Sequence, residues 1–446
     1  MSDTSTAALS RAVSQIPGGE WFTGAGFGVF IHWDHASQQG LEISWPLVGG
    51  AGIPTTSVPE QHVSVEKYQS SAATFDPTEW DAPALARLLR EAGATYAVFT
   101  ARHHAGYAMF RSAHSDFSVA STPSGRDLTR EYVDAMRAEG IRVGLYYSLS
   151  DWNHPDYPAF TDADRPYPGE HWSVRDGVEV NTRPGTKEHR RADHAAWQRY
   201  RDYLRGQLTE LLTDYGQIDL LWFDGQWERT IAEWQSEDLR ALIKSLQPNV
   251  VINDRLLGQG DYATPEQAYP LVPPDGPWEL CQTIGDYWAW RPDDVRNKSA
   301  RRLIAELCDV AGRGGNLLLN IGPRGDGSLN PDQTTLLEQI GAWMSQHAES
   351  VIGVAPTQAV DFHGPTTTRP GRLYLHLVMQ PVGEFAVRGI PIGRVQRVYR
   401  LADGLELEHD YHLGPDADPD RDLGELRIAA PDSPSGVLDV IAIDLR

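Results

Sequence analysis

Short apolar segments alternate with amphipathic, helix-like segments along the first three quarters of the chain, and this pattern constrains the fold more than any other feature. Continuous apolar runs bounded by glycine or charged residues are typical of strands that are buried on both faces. Such runs occupy residues 27–32, 96–100, 143–147, 220–223, 250–253 and 317–321. Because strand–helix alternation builds βαβ units with parallel strands, we predict an α/β fold with an irregular (β/α)8-type barrel, an architecture of roughly 250 residues or more.

The segments between these runs have the periodicity and the ends of helices. An Asp-Pro-Thr-Glu sequence at residues 76–79 predicts a capped helix start. Leucines at positions 85, 88 and 89 then form an apolar stripe that stops at Gly93. A second stripe runs from Trp197 to Leu211 at spacings of three and four and ends before Gly216.

The pattern changes from about Val354 onward. Short alternating runs at residues 373–378, 395–400 and 437–445 are separated by glycine, proline and aspartate, which is typical of a small antiparallel β-sandwich. We therefore predict two domains, a barrel domain over residues 1–350 and a C-terminal β-sandwich domain over residues 351–446.

Two segments have no period of either kind. Residues 153–193 are rich in proline, glycine, aspartate and arginine, and we predict a long loop at the functional rim of the barrel. The glycine-rich residues 312–316 precede an apolar run and lack the GxxxxGK[ST] pattern of a phosphate-binding loop. They predict a tight turn from a helix into a strand.

Composition limits the classes of partner. The formal net charge of −22 and the pI near 5.0 argue against nucleic acid or an anionic membrane. Cys281 and Cys308 are too few for a disulfide framework or a thiolate metal site. Residues 1–15 lack the apolar segment of a secretory signal, and no run approaches the roughly 20 apolar residues of a membrane span. We expect a cytoplasmic protein; the oligomeric state stays open, with a homo-oligomer allowed.

Polar side chains end or closely follow several of the predicted strands. A barrel keeps its active site at the carboxyl ends of its strands, so these side chains are candidates for one common site. They are His32, His103, His104, Tyr147, Asp224 and Arg255.

Asp224 is the most informative of these candidates. Period-two alternation places Trp222 and Asp224 on one face of their strand, and a carboxylate that ends so apolar a run is costly to bury without partners. Asp224 is either a turn residue before Gly225 or a nucleophile or base.

The adjacent His103 and His104 allow two interpretations, a metal site or hydrogen bonds to a ligand. Adjacent residues on a strand point to opposite faces, so the pair could not chelate one ion without a bend. No HxH or HExxH pattern accompanies them. We favour imidazoles that form hydrogen bonds to hydroxyl groups of a ligand, and we predict no metal and no cofactor.

At this point the motifs, taken in order, resemble glycoside hydrolase family 29, the α-L-fucosidases. The resemblance covers residues 21–343 and rests on several motifs together. These are residues 27–33 (FGVFIHW), 96–104 (YAVFTARHH), 126–127 (RD), 144–148 (GLYYS), 221–225 (LWFDG), 278–279 (WE) and 317–323 (LLLNIGP).

The resemblance implies a retaining α-L-fucosidase that acts on fucosylated oligosaccharides through a fucosyl-enzyme intermediate. Asp224 matches the family's nucleophile. The acid/base is Glu266 or Glu279, and we favour Glu266, which lies in the segment where the family places this group. The residues that the resemblance implies for binding the sugar are His32, Trp45, His103, His104, Tyr147, Trp222, Arg255 and Trp288.

The sequence departs from the family's pattern at three places. The family commonly has His-Trp-Gly where this chain has His-Trp-Asp, which introduces Asp34. A Glu-Trp pair is replaced by Ser44-Trp45, and a Trp-Gly-Tyr segment reads Tyr-Trp-Ala-Trp at residues 287–290. We hypothesise that Asp34 contacts the sugar or its aglycone. The fucosyl linkage stays open.

Three other functions remain in competition. They are a barrel glycosidase for another sugar, a non-catalytic carbohydrate-binding relative and a metal-dependent hydrolase.

Overall fold

The computed structural model describes residues 9–11, 13–48, 63–157, 173–175, 178–180, 194–418 and 422–446. Within the predicted barrel domain, the described strands, in chain order, are β1 (Phe27–Ile31), β2 (Tyr96–Arg102), β3 (Arg142–Ser148), β4 (Ser173–Arg175), β5 (Val178–Val180), β6 (Leu220–Asp224), β7 (Val251–Ile252), β8 (Glu279–Thr283) and β9 (Asn316–Ile321). Strands β4 and β5 pair as an antiparallel hairpin. The other seven form one parallel sheet in the order β7-β6-β3-β2-β1-β9-β8.

Residues 262–267 bridge the two edges of this sheet and occupy the place of an eighth strand. Parallel bridges join Tyr262 to Asn253, just after β7, and Glu266 to Cys281 on β8. Backbone hydrogen bonds support these bridges, including Asp254 N–H to the Tyr262 carbonyl at 2.9 Å and Cys281 N–H to the Pro265 carbonyl at 3.1 Å. The predicted irregular (β/α)8-type fold is therefore confirmed, and its irregularity lies at this eighth position.

Helices surround the barrel, and their apolar faces pack on the outside of the strands. They are α1 (Val65–Gln69), α2 (Ala82–Glu91), α3 (Leu128–Ala138), α4 (His194–Asp214), α5 (Ile231–Trp234), α6 (Ser236–Leu246), α7 (Ala300–Gly312) and α8 (Pro331–His347).

The start of helix α2 differs from the prediction. The carboxylate of Asp81 caps α2 by accepting from the Ala84 N–H at 2.8 Å, and a proline follows at the second helical position. Residues 76–79 instead form a turn, in which the Thr78 N–H donates to the Asp76 carbonyl. The sequence offers two possible helix starts, Asp76-Pro77 and Asp81-Ala82-Pro83. Asp81 caps the helix because it lies directly before the apolar stripe, and that stripe must pack on the barrel.

The inside of the barrel is filled by large side chains from alternate strand positions, including Phe30, Tyr96, Tyr146 and Trp222. Gly28 on β1 leaves room for one of these, because a Cβ at this position would lie 2.3 Å from the ring of Tyr96. Aromatic side chains of this size bury large apolar areas, so they close the barrel interior beneath the carboxyl ends of the strands.

Eight further strands lie among the described residues of the C-terminal part of the chain. They are β10 (Ala355–Pro356), β11 (Thr366–Arg369), β12 (Arg372–His376), β13 (Glu384–Pro391), β14 (Val395–Arg400), β15 (His409–His412), β16 (Leu423–Ala429) and β17 (Val440–Leu445). Two antiparallel sheets, β10-β11-β12-β17-β14 and β13-β16-β15, enclose a core that includes Leu373, Val387 and Ile441. The predicted antiparallel β-domain is confirmed; its exact boundary at residue 350 stays a prediction.

The remaining predictions on segments have mixed outcomes. Helix α7 ends at Gly312 and β9 begins at Asn316, so the predicted turn between them is confirmed. Strand β8 is absent from the sequence prediction because its Glu-Leu-Cys-Gln-Thr sequence is no continuous apolar run. The predicted loop at 153–193 lies largely outside the described residues. No helix in the described ranges is both long and apolar enough to span a membrane.

Candidate active site

A pocket of about 220 Å3 opens at the carboxyl ends of the barrel strands. This is smaller than the roughly 300–1,000 Å3 of sites for drug-sized ligands, and it suits one monosaccharide ring. Its lining is aromatic and polar and consists of Phe30, His32, Trp45, His103, His104, Tyr146, Trp222, Asp224, Gln226, Trp227, Arg255, Glu266 and Trp288. Nine of these positions are among the predicted site residues, which the fold brings together from seven different segments.

Asp224 ends β6 and accepts hydrogen bonds on both carboxylate oxygens. Arg255 Nη1 donates to Oδ1 at 2.7 Å, the Tyr146 hydroxyl donates to Oδ2 at 3.0 Å, and His104 Nε2 lies 3.5 Å from Oδ2. Burial by itself would raise the pKa of Asp224, but the Arg255 guanidinium and His104 outweigh it and hold this pKa well below its usual range. The carboxylate is therefore ionised, oriented and exposed to the pocket at the same time.

Arg255 joins the two carboxylates of the pocket. Its Nη2 donates to Glu266 Oε2 at 2.5 Å while its Nη1 binds Asp224. Glu266 lies on the irregular eighth segment, and its side chain is 26% exposed against 11% for Asp224. The guanidinium also lies over the ring of Trp222, with Cζ 4.4 Å from the ring centroid. One cation thus orients a buried carboxylate and a more accessible one.

The prediction that Tyr147 binds the sugar is corrected by the structure. The Tyr147 side chain lies on the helix side of the barrel wall, where its hydroxyl donates to Gln207 Oε1 at 2.8 Å and its ring contacts the guanidinium of Arg102. Tyr146 takes the pocket position, because successive residues of a strand point to opposite faces. The register of β3 and β6 decides between the two tyrosines: Tyr146 pairs with Trp222, and Trp222 shares a face with Asp224.

Glu279, the rival acid/base, does not line the pocket. It is fully buried in the barrel interior and accepts hydrogen bonds from the Trp222 indole N–H at 2.9 Å and from the Tyr96 hydroxyl at 2.6 Å. Burial raises the pKa of Glu279 to about 7, although its two hydrogen-bond donors act in the opposite direction. Its position makes it an anchor for the indole of Trp222, and Glu266 is the carboxyl group that a ligand in the pocket can reach.

Four flat groups stack across one side of the pocket. The ring of Tyr146 lies between those of Trp222, at 5.5 Å and 19°, and His103, at 5.1 Å and 12°. The Arg255 guanidinium also lies over the ring of Trp222. Faces of this kind pack against the C–H surface of a sugar or stabilise positive charge that develops on it.

Three imidazoles line the pocket, each with Nδ1 held by a neighbour. His32 Nδ1 lies 2.7 Å from Asn320 Oδ1. His103 Nδ1 lies 2.6 Å from the Ser44 hydroxyl, which also accepts from the Ala105 N–H. Burial lowers the pKa of His32 to about 3 and, together with the neighbouring imidazoles, lowers the pKa of His103 well below its usual range. Both rings are therefore neutral at physiological pH.

His104 has a different surrounding from the other two. Its Nδ1 contacts the hydroxyls of Ser148 at 2.6 Å and Ser150 at 3.1 Å, and its Nε2 faces Asp224. The expectation that His103 and His104 point to opposite faces is wrong, since their rings lie 4.2 Å apart and both line the pocket. The physical reason is that both follow the end of β2, beyond the regular pleat.

His103, His104 and Asp224 are the one group of three potential metal ligands found in the described ranges, with ligand atoms within 4.8 Å of one another. A divalent cation there would compete with the Arg255 guanidinium, which lies 2.7 Å from Asp224 Oδ1. The donor set therefore fits a cation poorly. The prediction of a metal-independent site stays a prediction.

The hypothesis that Asp34 contacts the sugar is not supported, because Asp34 does not line the pocket. It is buried, and its carboxylate caps a short 3-10 helix, His35–Gln39, by accepting from the Ala36 N–H at 2.7 Å. Ser44, at the second departure, acts from behind the pocket through His103.

Four lining residues were absent from the predicted set, namely Phe30, Tyr146, Gln226 and Trp227. Gln226 and Trp227 begin a 3-10 helix directly after Gly225, whose positive φ of 73° turns the chain back over the pocket. The Asp-Gly sequence at the strand end was the available signal, since glycine adopts this conformation without strain.

Comparisons with known proteins agree with this geometry. The sequence model of the α-L-fucosidase family matches residues 4–349. The chain is 32% identical to the tissue α-L-fucosidase of Homo sapiens over 365 residues, which is 75% of this chain and 69% of that protein.

Solved structures are similar over nearly the whole chain. α-L-Fucosidase isoenzyme 1 from Paenibacillus thiaminolyticus has a TM-score of 0.79 at 32% identity and covers 96% of this chain and 99% of its own. A family 29 α-L-fucosidase from Bacteroides thetaiotaomicron, trapped as a covalent intermediate with 2-fluoro-fucosyl fluoride, has a TM-score of 0.77 at 24% identity and covers 98% of both chains.

Proposed function

The chain belongs to the α-L-fucosidase family of glycoside hydrolases, and we propose that it releases terminal α-linked L-fucose from oligosaccharides with retention of anomeric configuration. In this proposal Asp224 is the nucleophile and Glu266 is the acid/base. The observation that carries it is the guanidinium of Arg255, which binds Asp224 and Glu266 at 2.7 and 2.5 Å within one monosaccharide-sized pocket.

The bridging by one guanidinium favours the retaining mechanism over the inverting one. Retaining enzymes hold their two carboxyl groups roughly 5–5.5 Å apart, whereas inverting enzymes separate them by roughly 6.5–9.5 Å to admit a water molecule. Two carboxylates on the two terminal nitrogens of one guanidinium are close neighbours, which supports the shorter separation.

In the first step, an Asp224 oxygen attacks C1 of the fucose while the bond from C1 to the leaving oxygen breaks. Glu266, as the carboxylic acid, gives its proton to that oxygen. The strong donors on Asp224 keep it ionised before attack, and the Trp222 and Tyr146 faces lie beside the sugar ring as positive charge develops on it.

In the second step, Glu266 acts as a base. It takes a proton from a water molecule that attacks C1, and the bond between C1 and Asp224 breaks. The greater exposure of Glu266 suits this role, because it must meet both the leaving group and the incoming water. Two displacements at C1 restore the original configuration.

Recognition of the fucose hydroxyls falls to the imidazoles in this proposal. His32 and His103 are neutral, so each can accept a hydrogen bond on one nitrogen and donate one on the other. Trp45 and Trp288 close the pocket around them. The trapped covalent intermediate of the Bacteroides thetaiotaomicron relative supports a covalent mechanism for the shared fold.

Azide products test the two carboxylate roles in one experiment. We would assay Asp224→Ala, Glu266→Ala and Glu279→Ala on an aryl α-L-fucoside with and without azide. Asp224→Ala should form β-L-fucosyl azide, because azide replaces the nucleophile. Glu266→Ala should form α-L-fucosyl azide, because azide attacks the fucosyl-enzyme in place of the activated water.

Glu279→Ala is the matched control, since this carboxyl group is buried, accepts a hydrogen bond from Trp222 and lies outside the pocket. It should lose activity without any azide rescue. If Glu279→Ala formed the α-azide and Glu266→Ala did not, Glu279 would be the acid/base. A β-configured fucose as the first product of the unmodified enzyme would overturn retention, and failure on every α-L-fucoside would favour another sugar or a binding protein.

A further inference from the structure

Asn320 lies near the end of β9, is 1% exposed, and belongs to the sequence motif of residues 317–323 to which no role was assigned. Its side-chain amide makes two hydrogen bonds. One joins it to His32 Nδ1 at 2.7 Å, and the other joins it to the backbone carbonyl of Trp288 at 2.6 Å. The amide therefore contacts two segments that both line the pocket.

These two partners determine the orientation of the amide. The Trp288 carbonyl can only accept, so the amide nitrogen of Asn320 must face it. The amide oxygen is then left to face His32, and an oxygen of this kind can only accept. His32 Nδ1 must therefore carry the hydrogen of the bond that joins them.

We propose that Asn320 is a positioning residue that holds His32 in the tautomer with Nδ1 protonated, so that Nε2 presents a lone pair to a hydroxyl group of the sugar. The acceptor role toward the sugar rests on the proposed function, whereas the tautomer itself does not. Asn320 contacts His32 and Trp288 from behind and does not line the pocket.

The other two imidazoles have hydroxyl partners. His103 and His104 place Nδ1 against serine hydroxyls. Although the Ser148 hydroxyl donates to the Ser150 carbonyl at 2.8 Å, a hydroxyl, unlike an amide, can rotate to donate or to accept. The histidine with an amide partner is thus held as an acceptor, while the histidines with hydroxyl partners can adapt to the ligand. In this proposal His32 Nε2 is the one acceptor of the three imidazoles that does not change its role, so it selects the orientation of the hydroxyl group that donates to it.

The same amide also positions an aromatic wall. The Trp288 N–H and the Ala289 N–H donate to the buried carboxylate of Glu42 at 2.7 and 2.9 Å, and Asn320 binds the carbonyl of Trp288. Trp288 is thus held at both sides of its backbone, and its ring lies 4.9 Å from the ring of His32.

The direct test is the position of the proton on His32 in the free enzyme. In enzyme labelled with 15N-histidine, long-range 1H–15N correlation distinguishes a protonated Nδ1 from a protonated Nε2. The His32 signals are assigned by their loss in His32→Asn. We expect protonated Nδ1; protonated Nε2 would overturn the proposal without affecting the assignment of Asp224 and Glu266.

The second test compares two identical substitutions on one strand. Asn320→Asp puts a carboxylate against His32 Nδ1, which favours the imidazolium form and turns Nε2 from an acceptor into a donor. Asn316→Asp is the matched control, because Asn316 is also buried on β9 and also holds two backbone groups, the Gly26 N–H and the Phe22 carbonyl, but at the opposite end of the barrel.

The expected result for Asn320→Asp is a new acidic limb in the pH profile of kcat/KM, with a loss of roughly 10-fold or more below the raised pKa of His32 and recovery above it. The ionisable groups that surround His32 stay the same in both variants and are Asp224, Arg255, His103, His104 and Tyr146. Asn316→Asp should lose stability and keep the profile of the unmodified enzyme. Equal profiles for the two variants would overturn the proposal.

Discussion

Strand β6 ends at one aspartate and directly follows another, and the two carboxylates have different surroundings. Asp224, at the carboxyl end, faces the pocket and is bound by Arg255 and Tyr146. Asp219, one residue before the strand, accepts from the Val143 N–H at 2.9 Å and from the Gln217 amide at 2.8 Å. The carboxylate of Asp224 is oriented by side chains that leave it open to a ligand. The carboxylate of Asp219 is bound by neighbouring groups of the protein and has a structural role.

The same contrast applies to the barrel as a whole. Polar groups at the amino ends of the strands, such as Asn316, hold neighbouring backbone segments together. Polar groups at the carboxyl ends converge on one pocket and have strongly shifted pKa values, as for Asp224 and His32. We infer that substitutions at the amino end change stability, and those at the carboxyl end change catalysis.

The largest expected effect separates the two aspartates. Asp224→Asn should lower kcat by about 10⁴-fold or more, because an amide cannot form the covalent intermediate. Asp219→Asn should keep its kcat and lose on the order of 1 kcal/mol of unfolding free energy, because the amide nitrogen cannot accept the hydrogen bond of the oxygen it replaces and the ion pair with Arg142 is lost. Steady-state kinetics and urea denaturation of both variants measure this; a comparable kinetic loss in Asp219→Asn would contradict the contrast.

An intermediate effect separates two neighbouring tyrosines on the two faces of β3. Tyr146→Phe removes a donor from the ionised Asp224 and should lower kcat/KM by roughly 10- to 100-fold, as expected for a hydrogen bond to a charged group. Tyr147→Phe removes the bond to Gln207 and should cost about 1 kcal/mol of stability with unchanged kinetics. Kinetic constants and unfolding midpoints of both variants measure this. A kinetic loss in Tyr147→Phe but not in Tyr146→Phe would indicate that Tyr147, and not Tyr146, faces the pocket.

The smallest kinetic effect is expected at Asp34. Burial raises the pKa of its carboxyl group from 3.8 to about 7, with the Ala36 N–H acting in the opposite direction. Because the folded state then binds the proton more tightly than the unfolded state, the contribution of this group to stability is complete below about pH 3.8 and is lost as the pH rises through about 7.

Asp34→Asn cannot lose this proton and keeps an acceptor for the Ala36 N–H. Its stability should therefore exceed that of the unmodified protein at pH 8 by on the order of 1 kcal/mol or more, and the difference should shrink toward pH 5. Urea denaturation across this range measures it, with kcat and KM expected to stay unchanged. An altered KM would instead support a contact between Asp34 and the substrate.

The predictability of the site follows from how each residue is positioned. His32, His103, His104, Asp224 and Arg255 were identifiable because they end or follow strands, and parallel strands bring their carboxyl ends to one edge. Tyr147 was misassigned because the motif does not say which of two adjacent tyrosines faces inward. Asn320 was missed because its role depends on a carbonyl that lies 32 residues away in the sequence.

The sequence by itself determined the strand–helix alternation, the α/β class, the C-terminal β-domain and the placement of Asp224 at a strand end. These properties depend on side-chain periods of two and 3.6 and on apolar runs, which are local. Only the tertiary structure decided between Glu266 and Glu279 as the carboxyl group that reaches the pocket. Residues 262–267 have no period of their own, and backbone bridges to both neighbours close the barrel there and present Glu266 to Arg255. Such long-range pairing cannot be deduced from a local pattern, because it depends on where the rest of the barrel brings its two edges.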